Sequence, residues 1–271
     1  MDGLEDLALA RRVHENVVAC FALAGEEMEG GHVARLDGAI AAGTPLPILL
    51  FNQVLVVDGD ASNTQTAESI RAGVAIFRGF EKRFAVTLRG GLDDAYLPLL
   101  RELGLAPLPD SPWMPGMALH PLPPIGSHPL PPGHEIRAVT SMDALADHAA
   151  ALAAGFEMPR DWADAFCVEA MLHRPELAFY VGYQDGEPVT SGLGLRTGAT
   201  IGVYNIATVP SARRHGYGAA MTMRIVDDGA AAGCDVAILQ SSTMGQPVYE
   251  RLGFRTVSEY FGYIEAASLH G

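Results

Sequence analysis

Apolar residues recur along this chain in two rhythms. One falls every three to four positions; the other comes in short continuous or alternating runs. They mark helices and strands respectively. The helical rhythm predicts a helix over Leu7–Met28, and a strand follows over Pro47–Val57. Helix Thr66–Phe80, strand Phe84–Leu88, helix Asp93–Leu103 and a strand near Met114–Leu119 come next. After a proline-rich stretch the pattern resumes with strand His134–Val139 and helices Ser141–Ala154 and Arg160–His173, the first opening on Ser-Met-Asp. Leu177–Tyr183 and Val189–Arg196 read as strands joined through the turn Gln184-Asp185-Gly186. Ile201–Val209, rich in β-branched residues, is a third strand that stops at Pro210. Helix Gly218–Ala232, a short buried strand Val236–Gln240, helix Gly245–Leu252 and a closing strand Val257–Ile264 complete a mixed α/β order.

The proline-rich stretch opens at His120-Pro121-Leu122-Pro123-Pro124 and ends at Pro131-Pro132-Gly133. Its prolines remove backbone donors and favour an extended chain, so it is neither helix nor central strand. It reads as a semi-rigid linker over 121–133, separating a domain at 1–120 from one at 134–271. The element order before the linker matches the latter part of the order after it. Asn52 sets against Asn205, Ala85 against Ala237 and Gly104 against Gly253, in one order, which points to an internal duplication.

At 271 residues, two domains are a sensible division. The net charge of −14 argues against gripping nucleic acid or an acidic membrane, since both need local cationic surface. The opening Met-Asp-Gly-Leu-Glu-Asp lacks the features of a signal peptide, and no apolar stretch approaches the roughly 20 residues that cross a bilayer. Three separated cysteines, Cys20, Cys167 and Cys234, read as reduced thiols, so the expected setting is cytoplasmic.

The strongest local signal is Val209-Pro210-Ser211-Ala212-Arg213-Arg214-His215-Gly216-Tyr217-Gly218, between a strand and a helix. Its two glycines let the backbone turn tightly and let N–H groups approach a ligand. Those groups sit at a helix N-terminus, where unpaired donors and the helix dipole favour an anion. Arg213, Arg214 and His215 add positive character, so the physical reading is a pyrophosphate cradle. No Gly-Lys-Ser/Thr follows, and the glycine spacing is not that of the dinucleotide fingerprint.

In this context the segment resembles the R/Q-x-x-G-x-G/A motif of the GNAT N-acetyltransferase superfamily, matched by Arg213, Gly216 and Gly218. A second family signature is similar to Ser242-Thr243-Met244-Gly245-Gln246-Pro247-Val248-Tyr249, continuing to Gly253-Phe254. The resemblance covers about residues 134–264. It implies an α/β (α+β) GNAT fold, a mixed central sheet flanked by helices, duplicated in tandem with a degenerate first copy. It also implies acetyl-CoA as cosubstrate, no metal, and a primary-amine acceptor; a small-molecule amine is expected, with an amino acid, an antibiotic or a protein N-terminus left open. The strands Ile201–Val209 and Val236–Gln240 would splay around the pantetheine arm. The diphosphate would rest on the backbone of Arg214, His215, Gly216, Tyr217, Gly218 and Ala219. An N–H near Ala207, Thr208 or Val209 would polarise the thioester carbonyl. Tyr249 is the expected general acid, since a phenol holds its proton at neutral pH. Ser242 is the expected helix cap, and by resemblance reaches the pantetheine.

No general base is legible: Glu157, Tyr204 and His173 each have an ordinary structural role open to them. In the first half, Asp58-Gly59-Asp60 and the residues to Thr66 stand where the glycine motif would be, and Leu100 stands in the place of Tyr249. That half is expected to keep the sheet, lose the cofactor site and help shape the acceptor pocket. Two alternatives stay open: a non-catalytic acyl-CoA-binding module, and an acyltransferase using a longer donor. Oligomeric state stays open too, with a homodimer among the choices.

Overall fold

The computed structural model describes residues 2–57, 64–109, 112 and 114–269. Helix α1 (Asp2–Glu27) leads into strands β1 (His32–Leu36), β2 (Ala39–Gly43) and β3 (Asn52–Val56), then α2 (Thr64–Gly79) and β4 (Ala85–Arg89). Helix α3 (Leu97–Glu102), β5 (Leu105–Pro107) and β6 (Gly116–Leu119) follow. Next come β7 (His134–Ala138), α4 (Met142–Phe156), α5 (Arg160–Phe166), α6 (Glu169–Leu172), β8 (Leu177–Gln184), β9 (Glu187–Thr197) and β10 (Thr200–Thr208). The chain continues through α7 (Tyr217–Ala231), β11 (Val236–Gln240), α8 (Gln246–Arg251), β12 (Arg255–Ser258) and β13 (Tyr260–Glu265). Among the described residues, no helix is long and apolar enough to cross a membrane.

These strands form two mixed sheets. The first runs β1-β2-β3-β4-β13-β5 and the second β12-β6-β11-β10-β9-β8-β7. Each contains a parallel pair joined through a helix: β3 with β4 around α2, and β10 with β11 around α7. In the first sheet β13 lies between β4 and β5; in the second, β6 lies between β11 and β12. Each sheet therefore takes one interior strand from the other half of the sequence. Of the two compact units, the first takes in β13. One holds the chain up to Met117 with Gln240–Gly245 and the residues from Thr256; the other holds Ala118–Leu239 and Gln246–Arg255.

In the first unit, α2 lays Ile70, Val74 and Phe77 on Val54, Val56, Val86 and Leu88, all at most 2% exposed. The hairpin β1–β2, which the apolar pattern does not announce, turns at Asp37-Gly38, with Gly38 at φ 90°. In the second unit, Ser141 caps α4 by accepting the Ala144 N–H at 3.3 Å. The helix expected over Arg160–His173 is two helices, because Cys167 (ψ 60°) and Val168 (ψ 149°) leave helical geometry. The closing strand expected over Val257–Ile264 is likewise two strands, β12 and β13, which enter different sheets.

The proline-rich segment runs alongside α7, against the direction of the helix. The His120 ring nitrogen Nδ1 lies 3.0 Å from the Asp235 carbonyl oxygen, and the Gly126 N–H donates to Asp227 Oδ2 at 3.0 Å. Pro131 then reaches the start of the helix, where a Cβ on Gly216 would lie 3.7 Å from its ring. From Gly126 to Pro131 an extended proline-rich chain covers roughly 16 Å, about the rise of the helix between Gly216 and Asp227.

Candidate active site

Strand β10 carries the first part of the site. Its parallel register with β11 comprises Thr200↔Val236, Ile201↔Ala237 and Gly202↔Ile238 and goes no further, although both strands continue. The two strands thus part beyond Gly202. On the other side of β10, pairing with β9 shifts between Tyr204 and Ala207, so Asn205 and Ile206 form a bulge with Asn205 at φ 53°. Bulges bend a strand and re-aim the residues beyond them. Ser191 Oγ donates to the Asn205 carbonyl at 2.9 Å, which fixes the bend. Past the bulge, Thr208 and Val209 are partly exposed.

The backbone amides of Ala207, Thr208 and Val209 are not equivalent. Val209 N–H donates to the Val189 carbonyl at 3.0 Å. Antiparallel pairs alternate between bonded and non-bonded, so the Thr208↔Thr190 pair is a non-bonded one. Thr208 therefore turns its N–H and C=O away from β9, towards the open side. Its C=O there accepts Arg213 Nε at 3.2 Å.

A short 3-10 turn at Pro210–Ala212 leads into the glycine segment. Arg214 has φ 69° and Gly216, at the N-terminus of α7, has φ 83°. The left-handed region costs an L side chain about 1–2 kcal/mol, so a glycine at 216 is the inexpensive solution. The first backbone bond of the helix is Ala220 N–H to Gly216 O, 3.0 Å. Among the described residues, the N–H groups of Arg214, His215, Gly216, Tyr217, Gly218 and Ala219 have no backbone acceptor. Arg214, His215 and Gly216 are exposed, while Tyr217 is buried. A Cβ on Gly218 would meet only Thr208 Oγ1 at 3.5 Å and Ile206 at 3.6 Å, so protein does not crowd this face.

The side chains of the turn divide the labour. His215 Nδ1 lies 3.2 Å from the Ala212 carbonyl, and its ring stacks on Tyr217 at 5.6 Å. Tyr217 stacks in turn on His134 at 4.2 Å and donates to Gln184 Oε1 at 2.7 Å. Arg213 is committed to protein on two of its nitrogens. Besides the Nε bond to Thr208, its Nη2 donates to the Gly155 carbonyl at 2.8 Å and to Glu157 Oε1 at 2.9 Å. Glu157 ends α4 in left-handed geometry, φ 55°.

Gly155 is a member of the site that sequence reasoning misses. A Cβ there would lie 2.7 Å from the Ala207 Cβ and 2.9 Å from Thr208 N, so the end of α4 touches the strand through bare backbone. The available signal is an isolated glycine inside an alanine-rich helix, which often marks close packing.

Tyr249 lies on α8, partly buried, with its ring edge-on to Phe254 at 6.0 Å. Burial pushes its phenol up to about 12. Among the described residues, no hydrogen bond or ring contact joins Tyr249 to segment 207–219. Ser242 accepts the Gly245 N–H on Oγ at 3.2 Å, in the turn just before α8. Of the groups weighed as bases, Glu157 is held by Arg213, and His173 and Glu169 form an exposed 3.9 Å pair. Cys167 is buried and its thiol is pushed up to about 12; Cys234 is also buried. Among the described residues, no group of three His, Cys, Asp or Glu side chains has the arrangement of metal ligands.

The first unit treats the corresponding place differently. Its parallel register runs from Gln53↔Ala85 to Leu55↔Thr87. At the next residue the Val56 carbonyl is taken by the Nε2 N–H of His14, whose Nδ1 lies 3.3 Å from the Tyr260 hydroxyl. Protein side chains thus occupy the end of this strand pair. Asp58–Asn63, the acidic stretch in place of the glycine motif, lies outside the described residues.

Residues 142–254 match the model of the Acetyltransferase (GNAT) family. No sequence among curated proteins matches the chain. Among solved structures, a GCN5-related N-acetyltransferase from Kribbella flavida aligns with TM-score 0.68 at 16% identity, over 94% of this chain and 95% of that one. A GCN5-related N-acetyltransferase from Sphaerobacter thermophilus aligns with TM-score 0.60 at 16% identity, over 84% and 76%. A tandem GNAT protein from the clavulanic acid biosynthesis pathway gives TM-score 0.60 at 13% identity, over 87% and 80%. Likeness at these identities carries the fold, an α/β arrangement of two mixed sheets flanked by helices.

Proposed function

With residues 142–254 forming a domain of the GNAT acetyltransferase family, we propose that this protein is an N-acetyltransferase using acetyl-CoA and a primary amine, joined in a ternary complex. The observation that carries the reading is the run of six backbone N–H groups, Arg214 to Ala219, that find no backbone acceptor among the described residues, beside a splayed strand pair. Unpaired donors at a helix N-terminus favour a diphosphate, and exposed Arg214 and His215 add to that preference. The gap between β10 and β11 suits an extended amide-bearing arm, which can bond to strand edges that no neighbour uses.

In this reading the Thr208 N–H is the oxyanion donor, because it points to the open side of β10. The amine attacks the thioester carbon directly. Electrons move onto the carbonyl oxygen and, on collapse, expel the thiolate, while the nitrogen passes its proton to solvent water. Tyr249 donates to the departing sulfur. A phenol held near 12 stabilises that thiolate chiefly as a hydrogen-bond donor, since its own proton is the more tightly held of the two. Ser242 caps the turn before α8 and reaches the pantetheine. The acceptor is a small amine rather than nucleic acid or a membrane surface, in keeping with the net charge of −14, and the three free thiols suit a cytoplasmic setting.

The test is thiol release from acetyl-CoA across a broad panel of amines, with mass spectrometry of the product and calorimetry of CoA binding. Release with one amine class and a product heavier by an acetyl group is the expected outcome. Tight CoA binding without release over hours would favour an acyl-CoA-binding module instead, and release only with longer acyl donors would change the donor. Neither binding nor release would end the acyl-transfer reading.

A further inference from the structure

Sequence reasoning counts Arg213, with Arg214 and His215, as positive charge for the diphosphate, yet its guanidinium is bonded elsewhere. Nε donates to the Thr208 carbonyl, and Nη2 donates to the Gly155 carbonyl and to Glu157. These acceptors belong to two elements, the end of β10 and the end of α4. The two ends also meet directly, where Gly155 leaves no room for a Cβ against Ala207 and Thr208. The residue so gripped is the one whose N–H faces the open side of β10.

We propose that Arg213 is a positioning residue: it clamps the last turn of α4 to the end of β10 and so fixes the Thr208 peptide for catalysis, rather than binding the diphosphate. The proposal rests on the acyl-transfer reading for its kinetic consequence, but not for the clamp itself. The planar fork of arginine serves three acceptors on two elements, a geometry that a lysine ammonium on a flexible stem does not reproduce. The charge of Arg213 is partly spent on Glu157, whose side chain is 66% exposed. That exposed pair contributes little by itself. The weight therefore falls on the two carbonyl bonds.

Three full-length variants, Arg213→Lys, Arg213→Gln and Glu157→Gln, separate the two roles. For a clamp, both Arg213 variants lower kcat about 10- to 100-fold, while the Kd for CoA stays within about threefold. Lysine gives no rescue, and Glu157→Gln changes kcat less than about threefold. A diphosphate ligand would instead show a raised Kd and KM for acetyl-CoA, near-normal kcat and recovery with lysine; that result overturns the proposal. A second measurement needs no ligand. Hydrogen exchange of the amides of Glu157 and Met158, whose Met158 N–H bonds to Ala153 O at 3.0 Å, should quicken several-fold in both Arg213 variants, with α7 unchanged. Unchanged exchange there also overturns the clamp. Should the wild-type protein neither bind CoA nor release thiol, the acyl-transfer reading falls, and exchange alone decides whether Arg213 braces these two elements.

Discussion

At the residue scale, the environment of Tyr249 sets its chemistry more than its position in a motif does. Its phenol is desolvated on α8 and has the ring of Phe254 beside it. Removing the hydroxyl leaves that packing intact. Tyr249→Phe should therefore lower kcat by roughly 10²–10⁴-fold, with CoA affinity within about threefold, as read by steady-state kinetics and calorimetry. Equal losses in both would assign Tyr249 to packing. Two histidines make a different prediction. His14 and His148 are each held neutral at about 4 by burial, which outweighs the backbone carbonyls of Val56 and Tyr180 that accept from them. The Coulomb field of Arg89 adds to the effect at His14. Once unfolded, each binds a proton at about 6.5, so between about 4 and 6.5 the unfolded chain carries more protons and stability rises with pH. The contribution is complete above 6.5 and drains away as pH falls towards 4. Stability read from urea unfolding should drop between pH 7 and pH 5, by on the order of 2 kcal/mol per histidine, and His148→Gln should flatten part of that slope. Neither histidine betrays itself in the sequence, because burial depends on the elements that close over it.

Elements explain why the site is built where it is, and how much of it the sequence discloses. A helix and a strand meet at Gly155 with backbone against backbone. Gly155→Ala should force them apart, costing about 1–3 kcal/mol of stability and lowering kcat/KM at least tenfold through the displaced Thr208 peptide. A variant with normal kinetics would show that the end of β10 tolerates displacement. The strand β10, its stop at Pro210 and the helix α7 are legible, since β-branched residues, proline and glycine signal their own local geometry. The turn from Arg213 to Gly218 is legible for the same reason. The bulge is not, although Asn205 in mid-strand is the residue type that most readily takes a positive φ. Hairpin β1–β2 is hidden because Ala39-Ile40-Ala41-Ala42 is a buried, alanine-rich run without the alternation of a half-exposed strand. Its turn, Asp37-Gly38, is the available cue. The bonding of Arg213 is hidden too. A motif records spacing and residue type, whereas the acceptors of a guanidinium are set by packing, here from Gly155 and Thr208.

For the whole molecule, the governing fact is that β6 and β13 lie in the sheets opposite to the halves that encode them. Residues 134–271 contain the entire proposed diphosphate turn but lack the strand between β11 and β12. Residues 1–120 lack the strand between β4 and β5, along with Tyr260, which is fully buried beside His14. Expressed separately, each piece should be insoluble or lack cooperative unfolding, and co-expression should restore soluble protein that unfolds cooperatively. A piece covering 134–271 that is monomeric and stable would contradict this. Sequence periodicity cannot foresee the trade, because an apolar run such as Tyr260–Glu265 specifies a strand but not its neighbours.

That trade also orders events on the ribosome. The groove between β4 and β5 cannot be filled until Tyr260–Glu265 has been translated, roughly 10–30 s after Arg89 at ordinary elongation rates. Over that interval the nascent chain carries two open strand edges of the kind that recruit wrong partners.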